Sequence, residues 1–167
     1  MTSDTLTIET HSPQATERLG RVLAGLVPTG TLIALRGELA AGKTCLVCGI
    51  AARLATTDTV SSPTFTIVNQ YGESPKLYHV DLYRITAVEE ILDLGYEDLF
   101  EPDGICVIEW AERAEALLPV NRVDILLEHA GPTSRRITIT NTGILPPDWS
   151  RALAEEVHRR PDQVVSL

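Results

Sequence analysis

The run Gly37-Glu38-Leu39-Ala40-Ala41-Gly42-Lys43-Thr44 combines residue types that can do chemistry with the spacing that chemistry needs. Two glycines separated by four residues, then lysine and threonine, form a phosphate-cradling pattern. The glycines let successive backbone N–H groups turn inward around phosphate oxygens, and a helix opening behind them adds its positive dipole end. The Lys43 ammonium would neutralise β- and γ-phosphate charge, and the Thr44 hydroxyl would ligate magnesium. Lys43 and Lys76 are the only lysines, so a chance match is on the order of a tenth of a per cent.

Such a loop alone binds nucleotide. Hydrolysis or transfer also requires a carboxylate near magnesium and a group that orients the attacking atom. Two acids stand at strand ends, where α/β sheets place such groups. Asp81 follows Leu77-Tyr78-His79-Val80, and Glu109 follows Ile105-Cys106-Val107-Ile108, the more apolar and better matched run. A solvated acid at a strand end is the plain alternative for both. Ser61-Ser62-Pro63-Thr64 is either a simple connection or a switch loop that senses the γ-phosphate through a hydroxyl. Trp110 is either a core anchor or a neighbour of the phosphates, and spacing does not separate the two.

Cys45 and Cys48 form a C-x-x-C, with Cys106 elsewhere. Zinc lacks a second ligand pair, since His11, His79, His129 and His158 are scattered singly, and a redox pair suits an exposed turn rather than this helix. The cysteines read as small packing residues. Cys45, in the first helical turn where the dipole lowers a thiol pKa, is a candidate for oxidation when the site is empty.

These groups must be positioned by the elements around them. Leu32-Ile33-Ala34-Leu35 suits a buried parallel strand, and Leu46, Val47, Ile50 and Leu54 recur at helical spacing after the loop. Upstream, Leu6 to Ile8 reads as a strand and Ser12 as an N-cap, with Pro13 opening a helix to about Leu26. Phe65–Tyr71 and Lys76–Tyr83 read as a hairpin, Thr86 as the cap of a helix ending near Gly95, and Tyr96–Phe100 as a loop or short helix. Ile105–Ile108 is a second buried strand, followed by a helix from Ala111 to Leu118. Arg122–Glu128 and Arg136–Thr140 pair antiparallel around Gly131-Pro132, and a charged amphipathic helix begins at Asp148. The sum is one three-layer α/β domain of the P-loop NTPase type, with a mixed, largely parallel sheet.

With 44% hydrophobic and 22% charged residues, the 167-residue chain reads as an ordinary globular protein. It shows neither a membrane-length apolar run nor a signal-peptide layout, so a cytoplasmic location is expected. A net charge of −9 repels a phosphate backbone and argues against autonomous nucleic-acid binding.

The phosphate loop, Ser62-Pro63-Thr64-Phe65-Thr66, Tyr78-His79-Val80-Asp81-Leu82-Tyr83-Arg84 and Ile108-Glu109-Trp110 resemble, in order, the signatures of the TsaE (YjeE) family. The resemblance spans about Ser12 to Ile139. It implies a bacterial ATPase required for threonylcarbamoyladenosine in tRNA, using ATP and Mg2+ and supporting a TsaB and TsaD complex that performs the transfer. It implies that Gly37, Glu38, Leu39, Ala40, Ala41, Gly42, Lys43, Thr44 and Cys45 bind phosphates and that Thr44 with Glu109 holds magnesium. Asp81 would orient water, Thr64 would act in the switch loop, and Trp110 would lie beside the site. Pro13 and Gly131 would approach the base. Glu38, Ala40, Cys48 and Ala111 depart from the common Asp, Gly, basic residue and Pro, yet remove no phosphate or magnesium ligand. Only Arg84 and Arg113 offer themselves as fingers, so low intrinsic activity is expected. The rivals are a small-molecule kinase, which the acidic stretch from Thr86 to Asp103 disfavours as a lid, and a nucleotide-switched interaction module without turnover.

Overall fold

The computed structural model describes residues 4–54, 60, 63, 67–73, 76–100 and 103–159. Its strands are β1 (Asp4–Thr10), β2 (Leu32–Arg36), β3 (Val68–Tyr71), β4 (Leu77–Asp81), β5 (Ile105–Glu109), β6 (Val123–His129) and β7 (Arg135–Asn141). The helices are α1 (Pro13–Ala24), α2 (Lys43–Arg53), α3 (Val88–Leu92), α4 (Tyr96–Phe100) and α5 (Trp149–Arg159), with a 3-10 helix at Ala111–Leu117.

The strands form one sheet in the order β1-β7-β6-β2-β5-β4-β3. Its four inner neighbours, β6, β2, β5 and β4, are parallel, while β7, β1 and β3 pair antiparallel at the margins. The expected mixed, largely parallel sheet is the one observed, and its parallel strands lie at the centre. The reason lies in two-sided burial. On β2, Ile33 and Leu35 face a core with Leu19, Leu23, Leu46 and Ile50. Leu32 and Ala34 face a second core with Leu82, Ile91, Phe100 and Ala114. A strand covered on both faces has no polar side to alternate with, hence its unbroken apolar run.

Local signals set the boundaries. The Ser12 hydroxyl accepts from Ala15 N at 3.1 Å and Pro13 stands at the first helical position, so α1 begins as expected. At α3 the expected capping by Thr86 is replaced. The Glu90 carboxylate accepts from the Thr86 and Ala87 amides, at 3.2 Å each, satisfying donors that the helix cannot. Strand β3 starts at Val68, and Phe65 and Thr66 lie outside the described residues. The helix after β5 is 3-10 rather than α. Its three-residue turn stacks Ala111 and Ala114, both buried, on one face against the sheet.

Helices α1 and α2 cross closely because two glycines face each other's backbone. A Cβ on Gly49 would collide with the Glu17 carbonyl, and one on Gly20 with the Leu46 carbonyl. Backbone cannot retreat as a flexible side chain can. Gly49→Ala is therefore expected to destabilise the fold by about 3 kcal/mol, at the upper end for overpacking, read as a lower urea midpoint at unchanged slope.

Candidate nucleotide site

The loop between β2 and α2 turns where only special backbone conformations serve. Gly37 has φ 146° and Gly42 φ 101°. A Cβ on Gly37 would lie 2.5 Å from the Leu127 carbonyl of β6, so glycine is required there twice over. Ala40 holds φ 61°. A left-handed alanine costs roughly 1–2 kcal/mol, and a brace from β7 offsets it. Arg135 donates from Nε to Ala41 O at 3.1 Å and from Nη2 to Ala40 O at 3.4 Å.

The loop closes over a cavity of 280 Å³, walled by residues 39–45 with Asp81, Tyr83, Glu109 and Trp110. Parallel pairing of β4 with β5 sets Asp81 directly opposite Glu109. The two acids chosen at separate strand ends are thus brought together, both buried, beside Lys43 and Thr44. The Thr44 hydroxyl donates to Glu109, 3.0 Å from Oε1 and 3.3 Å from Oε2. Magnesium takes oxygen ligands from one or two side chains and completes its shell with phosphates and water. A hydroxyl and a carboxylate already within hydrogen-bond distance fit that donor set.

Lys43 Nζ donates to Gly37 O at 2.6 Å and Glu38 O at 2.7 Å, and lies 4.2 Å from the Trp110 ring centre. Phosphate oxygens would compete with those two carbonyls for the ammonium. Burial pushes its pKa below the ordinary lysine value, against the opposing pull of Glu109, Glu112 and Asp81. Trp110, at φ 60°, turns the chain sharply out of β5 and sets its ring beside the site. Tyr83 packs against it at 5.1 Å and Arg113 lies 5.8 Å away. Trp110 both lines the cavity and packs against the second core, so the two readings open for it are not exclusive. Asp81 Oδ1 accepts from Tyr83 N at 2.9 Å, which steadies the turn that follows β4.

Other expected residues fall at the margin. Pro13 lies outside the cavity wall, where its carbonyl accepts from Cys45 Sγ at 3.0 Å. Gly131 is likewise outside, its carbonyl accepting from Arg135 at 3.3 Å. Thr64 falls outside the described residues. The dipole argument for Cys45 is overturned. Burial, and after it the neighbouring Glu17 carboxylate, push the thiol up to about 11. Cys45 should react with iodoacetamide at pH 8 at least ten-fold more slowly than a free cysteine, by its roughly hundred-fold smaller thiolate fraction. Peptide mapping by mass spectrometry reads that rate.

Two residues acquire importance that spacing alone did not give them. His79, fully buried, sits 2.7 Å from Glu109 Oε2, and Arg135 braces the loop from 94 residues away. For His79 a signal existed. Period-two alternation puts it on the same face of β4 as Asp81. For Arg135 there was none, because its partners are loop carbonyls.

Fold and site together define a P-loop NTPase-like α/β protein. The family model described as "Threonylcarbamoyl adenosine biosynthesis protein TsaE" matches residues 10–137, and the chain belongs to that family. It is 40% identical over 129 residues to the tRNA threonylcarbamoyladenosine biosynthesis protein TsaE of Treponema pallidum, covering 77% of this chain and 96% of that one. It is 38% identical over 135 residues to the protein of the same name from Bacillus subtilis, covering 80% and 84% respectively. A crystal structure of Bacillus subtilis YdiB superimposes with a TM-score of 0.75 at 31% identity, covering 97% of this chain and 99% of that one. No helix among the described residues is long and apolar enough to cross a membrane.

Proposed function

We propose that this chain binds Mg2+-ATP and hydrolyses it weakly, in support of the complex that makes threonylcarbamoyladenosine in tRNA, with TsaB- and TsaD-type proteins as partners. One observation carries the reading: Thr44 of the loop and Glu109 of β5 meet at 3.0 Å beside a buried lysine and a second carboxylate. Loop amides and Lys43 would hold the phosphates, and Thr44 with Glu109 would hold the metal. Magnesium would supply neutralisation of charge developing on the phosphoryl oxygens. Asp81, on the neighbouring strand, would orient the attacking water. Positioning and electrostatics then do most of the work, as phosphoryl transfer requires.

Two arginines near the loop are engaged by carbonyls, Arg113 by Ile85 O and Arg135 by Ala40 O and Ala41 O, which supports a low rate alone. Single-turnover hydrolysis of ATP, with and without TsaB- and TsaD-type proteins, tests the reading. Phosphate release that rises in the assembly supports it. Tight binding without turnover in both settings would leave a switch module instead. A pull-down with ATP against ADP that recovers neither partner would remove the assignment to this complex.

A further inference from the structure

His79 lies inside β4, fully enclosed, in neither the phosphate loop nor the cavity wall. Its Nε2 stands 2.7 Å from Glu109 Oε2, while its Nδ1 is buried with no hydrogen-bond partner among the described residues. That asymmetry selects the tautomer. A buried N–H left without an acceptor carries the full cost of its lost hydration, so the proton belongs on Nε2, where the carboxylate accepts it. Around the ring, Tyr71 packs at 6.4 Å, Asn69 stands opposite on β3 and Val107 on β5.

The two oxygens of Glu109 are therefore not equivalent. Oε2 is engaged by the imidazole, and Thr44 Oγ1 is nearer to Oε1, 3.0 against 3.3 Å. We propose that His79 is a positioning residue that holds Glu109 as a one-oxygen ligand, and that this makes the site prefer Mg2+ over a larger cation such as Ca2+. The inference rests on the magnesium–nucleotide reading above. Mg2+ demands near-octahedral geometry at short distances, whereas Ca2+ accepts bidentate carboxylates and irregular shells. A carboxylate oxygen that already accepts from a buried imidazole is the weaker ligand of the two, which biases Glu109 away from the bidentate mode that Ca2+ accepts.

Two variants separate this role from packing. His79→Phe keeps a ring in the core and removes the donor. His79→Gln places an amide N–H near the position of Nε2. Calorimetry would give the affinity for the non-hydrolysable analogue AMPPNP with Mg2+, with Ca2+ and with EDTA. In His79→Phe the Mg2+-over-Ca2+ ratio should fall at least ten-fold, as outer-shell partners of metal ligands commonly do on removal. His79→Gln should recover most of it. An unchanged ratio in His79→Phe overturns the proposal, as does an equal loss in the two folded variants. Should His79→Phe fail to fold, His79→Leu, which likewise lacks a donor, takes its place in the same comparison. Long-range 1H–15N spectra of the metal-free wild type should show His79 protonated at Nε2, and protonation at Nδ1 overturns the assignment. A wild-type chain whose AMPPNP affinity ignores every divalent cation overturns the magnesium reading itself, which the spectra distinguish from a misassigned histidine.

Discussion

Lys43→Ala is expected to abolish measurable ATP binding, weakening the Kd by on the order of a hundred-fold or more. The magnitude follows from what surrounds the ammonium. Lys43 is the one cation among the described residues of the cavity wall, and Asp81 and Glu109 stand in the same wall. Removing it leaves two buried carboxylates facing a triphosphate, so attraction turns to repulsion. The Gly37 and Glu38 carbonyls also lose the donor that draws the loop closed. The pH dependence has a definite sign. Burial lowers the Lys43 pKa, so nucleotide binding should weaken on the alkaline side earlier than an ordinary lysine would allow. Calorimetric titration checks both statements, and a variant within three-fold of wild type would remove Lys43 from the site.

The second large effect belongs to Glu109. Glu109→Ala should lower magnesium-dependent turnover by about a hundred-fold, since metal charge stabilisation is worth several kcal/mol and each decade takes about 1.4. Nucleotide binding should partly survive through the loop amides and Lys43. The same change strips His79 of its single recorded hydrogen bond, leaving a buried imidazole with no partner. A stability loss of about 1–3 kcal/mol is expected from that alone. Glu109→Gln separates the effects. Its amide oxygen can still accept from Nε2, so thermal stability should return while turnover stays low. Steady-state phosphate release and a melting curve on both variants suffice. Undiminished hydrolysis in Glu109→Ala would sink the metal assignment.

What could be read from residue order was whatever depends on neighbours in the chain. Leu32–Leu35 and Ile105–Ile108 are legible as buried strands because only a two-sided core suits such runs. Ser12-Pro13 announces its helix because an N-cap acts within three residues. The convergence of Asp81 and Glu109 needed one further inference, that both strands end on the same edge of the sheet. The rest is decided across long separations. That β1 would pair with β7 at the margin cannot be seen in either strand, since alternation fixes faces and not partners. The 3-10 winding of Ala111–Leu117 answers to a surface it packs on. Cys45 shows how a local rule loses. The helix end favours a thiolate, but Pro13, Glu17 and burial arrive from α1.

Arg135 gives the brace a further meaning. The loop reaches its shape at residues 37–44, but the guanidinium that ties down the carbonyls of Ala40 and Ala41 comes 94 residues later. The first strand waits longer still, because its neighbour in the sheet is β7. Chains emerge from the ribosome N-terminus first, and domains fold as units. A nascent chain that has exposed its phosphate loop but not its last hairpin therefore carries the residues for nucleotide without their brace. Competence arrives with the closing strand, so an incomplete polypeptide lacks the finished loop and sheet edge.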